Sequence, residues 1–123
     1  MKLDDLLQHG DSGQLWSVPT GFDPALTVSD AYQRALALRQ LRLARGEQPR
    51  GYKIGFTNRT IWPIYNVFAP IWGTVYNSTL SFCDGLGDVS LTHTCQPRIE
   101  PETVLSFART PAPGASMDEL FAA

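Results

Sequence analysis

At 123 residues the chain has room for one domain, which on compact folding would bury roughly two-thirds of its unfolded surface. Ten basic residues against twelve acidic ones leave a formal charge of -2, so neither nucleic acid nor an anionic membrane is favoured as a partner, and a small molecule fits better. Cys83 and Cys95 form no CxxC motif and no dense disulfide framework, which predicts reduced thiols in a cytoplasmic protein.

Asp4 and Asp5 stand where a signal peptide needs a basic start, and no apolar run approaches the length of a membrane span. Leu3, Leu6 and Leu7 are at helical spacing, with Gly10 as the expected stop. The Gly-, Pro- and Ser-rich stretch "DSGQLWSVPTGFDPAL" reads as a connector pinned by Trp16 and Phe22. From Thr27 to Arg45 the periodicity predicts a long helix. Thr27 or Ser29 can cap it, Val28, Ala31, Tyr32, Ala35, Leu38 and Leu41 form its buried face, and Gly46 ends it. Its arginines, Arg34, Arg39, Arg42 and Arg45, read as a solvated face with cations toward the C-terminal end.

"GYKIGF" alternates Tyr52, Ile54 and Phe56 with Lys53 and Gly55, predicting a strand from whose polar face Lys53 projects. "TNRTIWPIYNVFAPIWG" is a long apolar loop broken by Pro63 and Pro70, suited to lining a pocket or an interface. "GTVYNSTLSF" and "GDVSLTH", joined by "CDGLGD", read as short strands of a hairpin. In "CQPRIEPETVLSF" a strand would put Arg98, Glu100 and Glu102 on one face. Two carboxylates about 7 Å apart repel by roughly 2 kcal/mol at an effective dielectric near 20, so a buried face requires a cation, either Arg98 or a metal. Pro101 sets the stretch at a sheet edge, a bulge or a strand end, and a solvated edge strand carrying surface charge explains the same residues. In "SMDELFAA", Ser116 and Glu119 form a capping box on a helix of under two turns. A helix so short either packs very favourably or marks a cut inside a longer protein, and the cut is the favoured reading.

"GYKIGFTNRT", "APIWGTVY", "QPRIEPE" and the spacing to "MDELFAA" together resemble the N-terminal half of the 2-oxopent-4-enoate hydratase and 4-oxalocrotonate decarboxylase family, within the fumarylacetoacetate hydrolase superfamily. The resemblance covers roughly residues 25–123. It implies that Glu100 and Glu102 are ligands to Mg²⁺ or Mn²⁺, with a third acidic ligand supplied by a family region this sequence does not contain. It further implies that Lys53 transfers a proton or orients the substrate, with a pKa that a neighbouring metal can lower. The implied activity is hydration of 2-oxo-4-enoic acids in the breakdown of aromatic compounds, through a metal-stabilised enolate. Decarboxylation of 4-oxalocrotonate-type acids is the alternative, and homo-oligomeric assembly is the family habit. Ile71 stands where the family commonly carries an aspartate.

A different class of reading makes the chain a non-catalytic interaction module with "IWPIYNVFAPIW" as its contact surface. A third, hydrolysis of a carbon–carbon bond, would need a water-activating residue such as His93. The fold expected is mixed α/β: a single domain over 1–123, helical through 1–50 and mainly β through 51–123.

Overall fold

The structure, a computed structural model, describes residues 2–15 and 25–123; Trp16 and Phe22 lie outside them. Helix α1, Leu3–Ser12, runs through Gly10 and stops at Gly13. Gly13 has φ 63° and donates its N–H to the His9 carbonyl at 3.1 Å. That left-handed end is the stronger stop, since an interior glycine costs a helix only about 1 kcal/mol. A Cβ on Gly13 would collide with the backbone of His93, so this glycine also lets the turn at 91–94 approach the helix.

Helix α2, Val28–Ala44, is the expected long helix, and Thr27 is its cap. The Thr27 hydroxyl accepts from the Asp30 N–H at 3.1 Å, and the Asp30 carboxylate accepts from the Thr27 N–H and hydroxyl at 3.1 and 2.6 Å. The Thr27 hydroxyl and then its N–H hold the Asp30 carboxyl below its ordinary range. Of the face expected to be buried, Tyr32, Leu38 and Leu41 are half-buried, whereas Val28, Ala31 and Ala35 remain exposed.

Two strands, β1 (Pro49–Gly55) and β2 (Ile71–Tyr76), pair antiparallel with a bulge between Pro49 and Gly51. The ends are clamped outside the ladder, where the Asn77 N–H meets the Gln48 carbonyl at 2.9 Å and the Gln48 N–H meets Asn77 Oδ1 at 2.8 Å. The linking segment is more ordered than the long loop expected of it. It holds a 3₁₀ turn, Arg59–Ile61, and a one-turn helix, α3 (Trp62–Tyr65). Pro63 falls in the first turn of α3, where a missing N–H costs nothing, and Asn66 ends the turn at φ 52°. Trp62 Nε1 donates to the Phe56 carbonyl at 2.8 Å, closing the segment on itself.

Beyond a 3₁₀ turn at Asn77–Thr79, residues 80–116 contain neither helix nor strand. The expected hairpin of "GTVYNSTLSF" with "GDVSLTH" therefore does not form, and "CQPRIEPETVLSF" is not a strand. Alternation is a local property, whereas a strand exists only by exchanging hydrogen bonds with a neighbour, and Pro101 removes one donor from this stretch. The partner of β2 is β1, contributed from upstream. Helix α4, Met117–Phe121, carries the predicted capping box: the Ser116 N–H and hydroxyl donate to Glu119 at 2.7 and 2.8 Å. Its C-terminal end is anchored by the backbone N–H groups of Ala108 and Arg109, which donate to the Ala123 carbonyl at 2.8 and 3.0 Å.

The fold is mixed α/β, as the sequence implies, but the core expected of a compact domain is nearly absent. Among the described residues only Tyr76 is a buried hydrophobic, at 6% exposure. The accessible surface of 10556 Å² exceeds the roughly 6,600 Å² of a compact monomer of 13.6 kDa. What core exists lies between α2 and one face of the sheet. Tyr32 stacks on Trp72 with centroids 5.2 Å apart, Tyr52 meets Trp72 edge-on at 5.4 Å, and Arg42 lies 4.0 Å above the Tyr76 ring.

Candidate functional site

Because side chains alternate along a strand, packing the Trp72 side of the sheet against α2 turns Lys53 to the other side. The residue directly opposite Lys53 in the ladder is Gly73, and Ile54 is opposite Trp72. Directly paired residues share a face, so Gly73 leaves the space beside Lys53 free of a neighbouring side chain, and a Cβ there would meet nothing within 4 Å. The lysine of "GYKIGFTNRT" and the glycine of "APIWGTVY", two of the stretches that carry the resemblance, are thereby brought face to face. Gly73 belongs to a strand, not to a loop.

Both glutamates reach the Lys53 ammonium. Lys53 Nζ lies 2.7 Å from Glu102 Oε1 and 3.2 Å from Glu100 Oε2. The three residues predicted from sequence thus form one cluster without Glu100 and Glu102 lying on a strand. The cation that answers the carboxylate pair is Lys53, which is 49 residues from Glu102 in sequence, and not Arg98. All three side chains are about half-exposed, at 53, 65 and 51% for Lys53, Glu100 and Glu102. Hydrogen bonds to Glu102 and then Glu100 push the Lys53 ammonium above its ordinary range.

The donor chemistry fits a hard divalent ion as part of a ligand set: two carboxylate oxygens converge on a point that already carries a cation. It does not amount to a full set. Among the described residues no group of three or more His, Cys, Asp or Glu side chains is placed to hold a metal.

His93 is elsewhere. It sits in a turn at φ 63° and, with Asp4, Leu7, Gln8, Asp11 and Ser12, lines an open hollow against α1. A second hollow, between α2 and β2, is lined by residues including Tyr32, Arg39 and Trp72. Neither hollow includes Lys53, Glu100 or Glu102. Cys83 and Cys95 are exposed free thiols. Among the described residues no helix is long and apolar enough to cross a membrane.

One cluster was missed in the sequence. Glu47 accepts from Arg42 at 2.6 Å and from Ser78 at 3.0 Å and also pairs with Arg45, which grips Asp11 with two bonds of 2.6 and 3.0 Å. The expected solvated arginine face is thus, at its C-terminal end, a set of ion pairs joining α1 to α2, with a hydrogen bond from Ser78 tying in the residues just past β2. Two arginines three apart and a glutamate just past the helix stop were the available signal.

Comparison with curated proteins finds two hydratases and a decarboxylase. The chain is 32% identical over 102 residues to a 2-hydroxyhexa-2,4-dienoate hydratase of Comamonas testosteroni, covering 81% of this chain and 38% of that enzyme. It is 35% identical over 106 residues to a 4-oxalocrotonate decarboxylase of a Pseudomonas species, covering 83% of this chain and 40% of the relative. A 2-oxo-hept-4-ene-1,7-dioate hydratase of Escherichia coli matches at 29% over 86 residues. The resemblance to the hydratase and decarboxylase family therefore holds across most of the chain. The chain spans 32 to 40% of the length of these relatives. No family model matches the chain. No solved structure matches it either.

Proposed function

We propose that this chain carries part of the centre of a divalent-metal-dependent hydratase acting on 2-oxo-4-enoic acids, such as 2-oxopent-4-enoate, in the breakdown of aromatic compounds. The observation that supports this reading most is the convergence of Glu100 and Glu102 on Lys53, in a chain similar to two hydratases and a decarboxylase of such acids. In this reading Glu100 and Glu102 would hold Mg²⁺ or Mn²⁺, together with ligands not among the described residues. Such an ion, when bound, supplies Lewis acidity at a 2-oxo oxygen. Lys53 has two roles open to it from its position. Its ammonium can orient the carboxylate of an anionic substrate, and its Nζ can carry a proton to or from a carbon held within hydrogen-bond reach. Gly73, opposite, keeps the approach to Nζ free of a side chain.

Decarboxylation would use the same three residues, because both reactions accumulate charge on the same oxygen. One assay separates them. With Mg²⁺ present, a 2-hydroxy-2,4-dienoate is expected to lose its conjugated absorption without release of CO₂, and EDTA is expected to stop the loss. CO₂ release from 4-oxalocrotonate would favour the decarboxylase; EDTA-insensitive turnover would remove the metal from the account.

A further inference from the structure

The hollow between α2 and β2 holds hydrogen-bond donors and a positive charge that nothing around it answers. Its walls include Tyr32, Leu36, Arg39, Arg42, Trp72 and Tyr76, and no acidic side chain lines it. Arg42 gives its Nε to Glu47 and lies over the Tyr76 ring. Arg39, on the same helix, is half-buried and has neither an ion pair nor a hydrogen bond among the described residues. A guanidinium drawn partly out of water with no acceptor for its N–H groups is an unmet demand. The Tyr32 hydroxyl adds a second one. It accepts the Trp72 N–H at 3.0 Å, and its own hydrogen meets no acceptor among the described residues.

We propose that this hollow binds a small planar monocarboxylate, an aromatic acid of one ring, with its carboxylate on the Arg39 guanidinium and its ring against Trp72. One unanswered charge matches a monoanion, and the planar fork of an arginine suits a carboxylate. The volume is about 210 Å³. An apolar cavity of about 150 Å³ takes a benzene molecule, so the space is sized for one ring bearing a carboxylate. Trp72 remains 43% exposed although Tyr32 stacks on it and Tyr52 meets it edge-on. That stacking, with the bond from the Trp72 N–H to Tyr32, holds the aromatic wall in place before a ligand arrives, which lowers the cost of binding. The site is on the α2 side of the sheet, away from Lys53, and does not depend on the metal reading of the glutamate pair.

The test is a titration of the isotope-labelled 123-residue chain with sodium benzoate, followed by two-dimensional NMR at the Trp72 and Thr74 amide signals. A dissociation constant on the order of 1 mM is expected for so small a ligand. Benzamide keeps the ring without the charge, acetate keeps the charge without the ring, and each is expected to bind at least about fivefold more weakly. Arg39→Gln is expected to weaken benzoate binding at least about fivefold. Arg39→Lys, which keeps the charge and loses the fork, should fall between that variant and wild type. Arg34→Gln, at an exposed position of the same helix outside the hollow, should leave the affinity unchanged. Far-UV circular dichroism checks that the variants keep the wild-type helix content. Benzamide binding as tightly as benzoate, Arg39→Gln binding as tightly as wild type, or equal losses in Arg39→Gln and Arg34→Gln would overturn the site. So would the absence of any shift at these signals with benzoate at about 20 mM.

Discussion

Replacing Tyr76 with alanine is expected to destabilise the chain by about 3 kcal/mol, the scale of removing a buried aromatic side chain. At 6% exposure Tyr76 is the one buried hydrophobic among the described residues, and it closes β2 where the sheet meets α2. Its ring also carries the Arg42 guanidinium at 4.0 Å, a contact worth about 0.5 to 1 kcal/mol in an exposed setting. For a chain of this size each kcal/mol lowers the thermal midpoint by about 4 °C or more, so the expected fall exceeds about 10 °C. Tyr76→Phe keeps the ring under Arg42 and should retain nearly all of the wild-type stability. Thermal melts followed by circular dichroism read both; equal midpoints for Tyr76→Ala and wild type would show that the α2–sheet contact is not what holds the fold.

The second large effect is expected at Glu47. Substitution by alanine removes the bonds from Arg42, Arg45 and Ser78 together, leaving Arg45 only its pair with Asp11, and should cost about 2 kcal/mol, as for loss of charge-assisted hydrogen bonds. The same cluster gives stability a pH dependence. Burial would raise the Glu47 carboxyl, but bonds from Arg42, Arg45 and Ser78 outweigh it and hold the group below its ordinary range. The bond from Arg45 holds Asp11 low against the smaller opposing effect of burial, with the charges of Arg45 and Arg42 helping. A carboxyl held lower in the folded state than in the unfolded one stabilises the fold fully above its unfolded value, near pH 4 in rough terms, and loses that contribution as pH falls through the folded value. Urea midpoints should therefore be flat above about pH 5.5 and drop on acidification. The drop should be shallower in Glu47→Ala. Identical acid profiles for the two proteins would place the acid sensitivity elsewhere.

How much of this was legible in the sequence follows from the range of the interactions involved. The caps at Thr27 and Ser116 were readable because a capping box closes within four residues. The long helix was readable from its 3.6-residue period and the β1 strand from its alternation, both local. The strand proposed for 95–107 failed because its other requirement, a hydrogen-bonded neighbour, is non-local. The pairing of Lys53 with Gly73 was hidden for the same reason. The glutamate pair called for a cation on a buried face; the pair is about half-exposed and meets one all the same. Its identity was not local: Arg98, two residues from Glu100, was the nearest candidate along the chain, whereas Lys53 from another element meets the pair in space. Glu47 was overlooked because arginines on a helix face are ordinarily solvated, and only the fold shows Ser78 and Asp11 arriving from two sides.

The claim on which the functional account turns is that Glu100 and Glu102 bind a divalent ion. Calorimetric titration of the chain with Mn²⁺, repeated in the presence of oxalate as an enolate mimic and with Glu102→Gln as the control, tests it most directly. The account predicts Mn²⁺ binding that oxalate strengthens and that Glu102→Gln abolishes. Mn²⁺ affinity unchanged by the substitution, with or without oxalate, would contradict it.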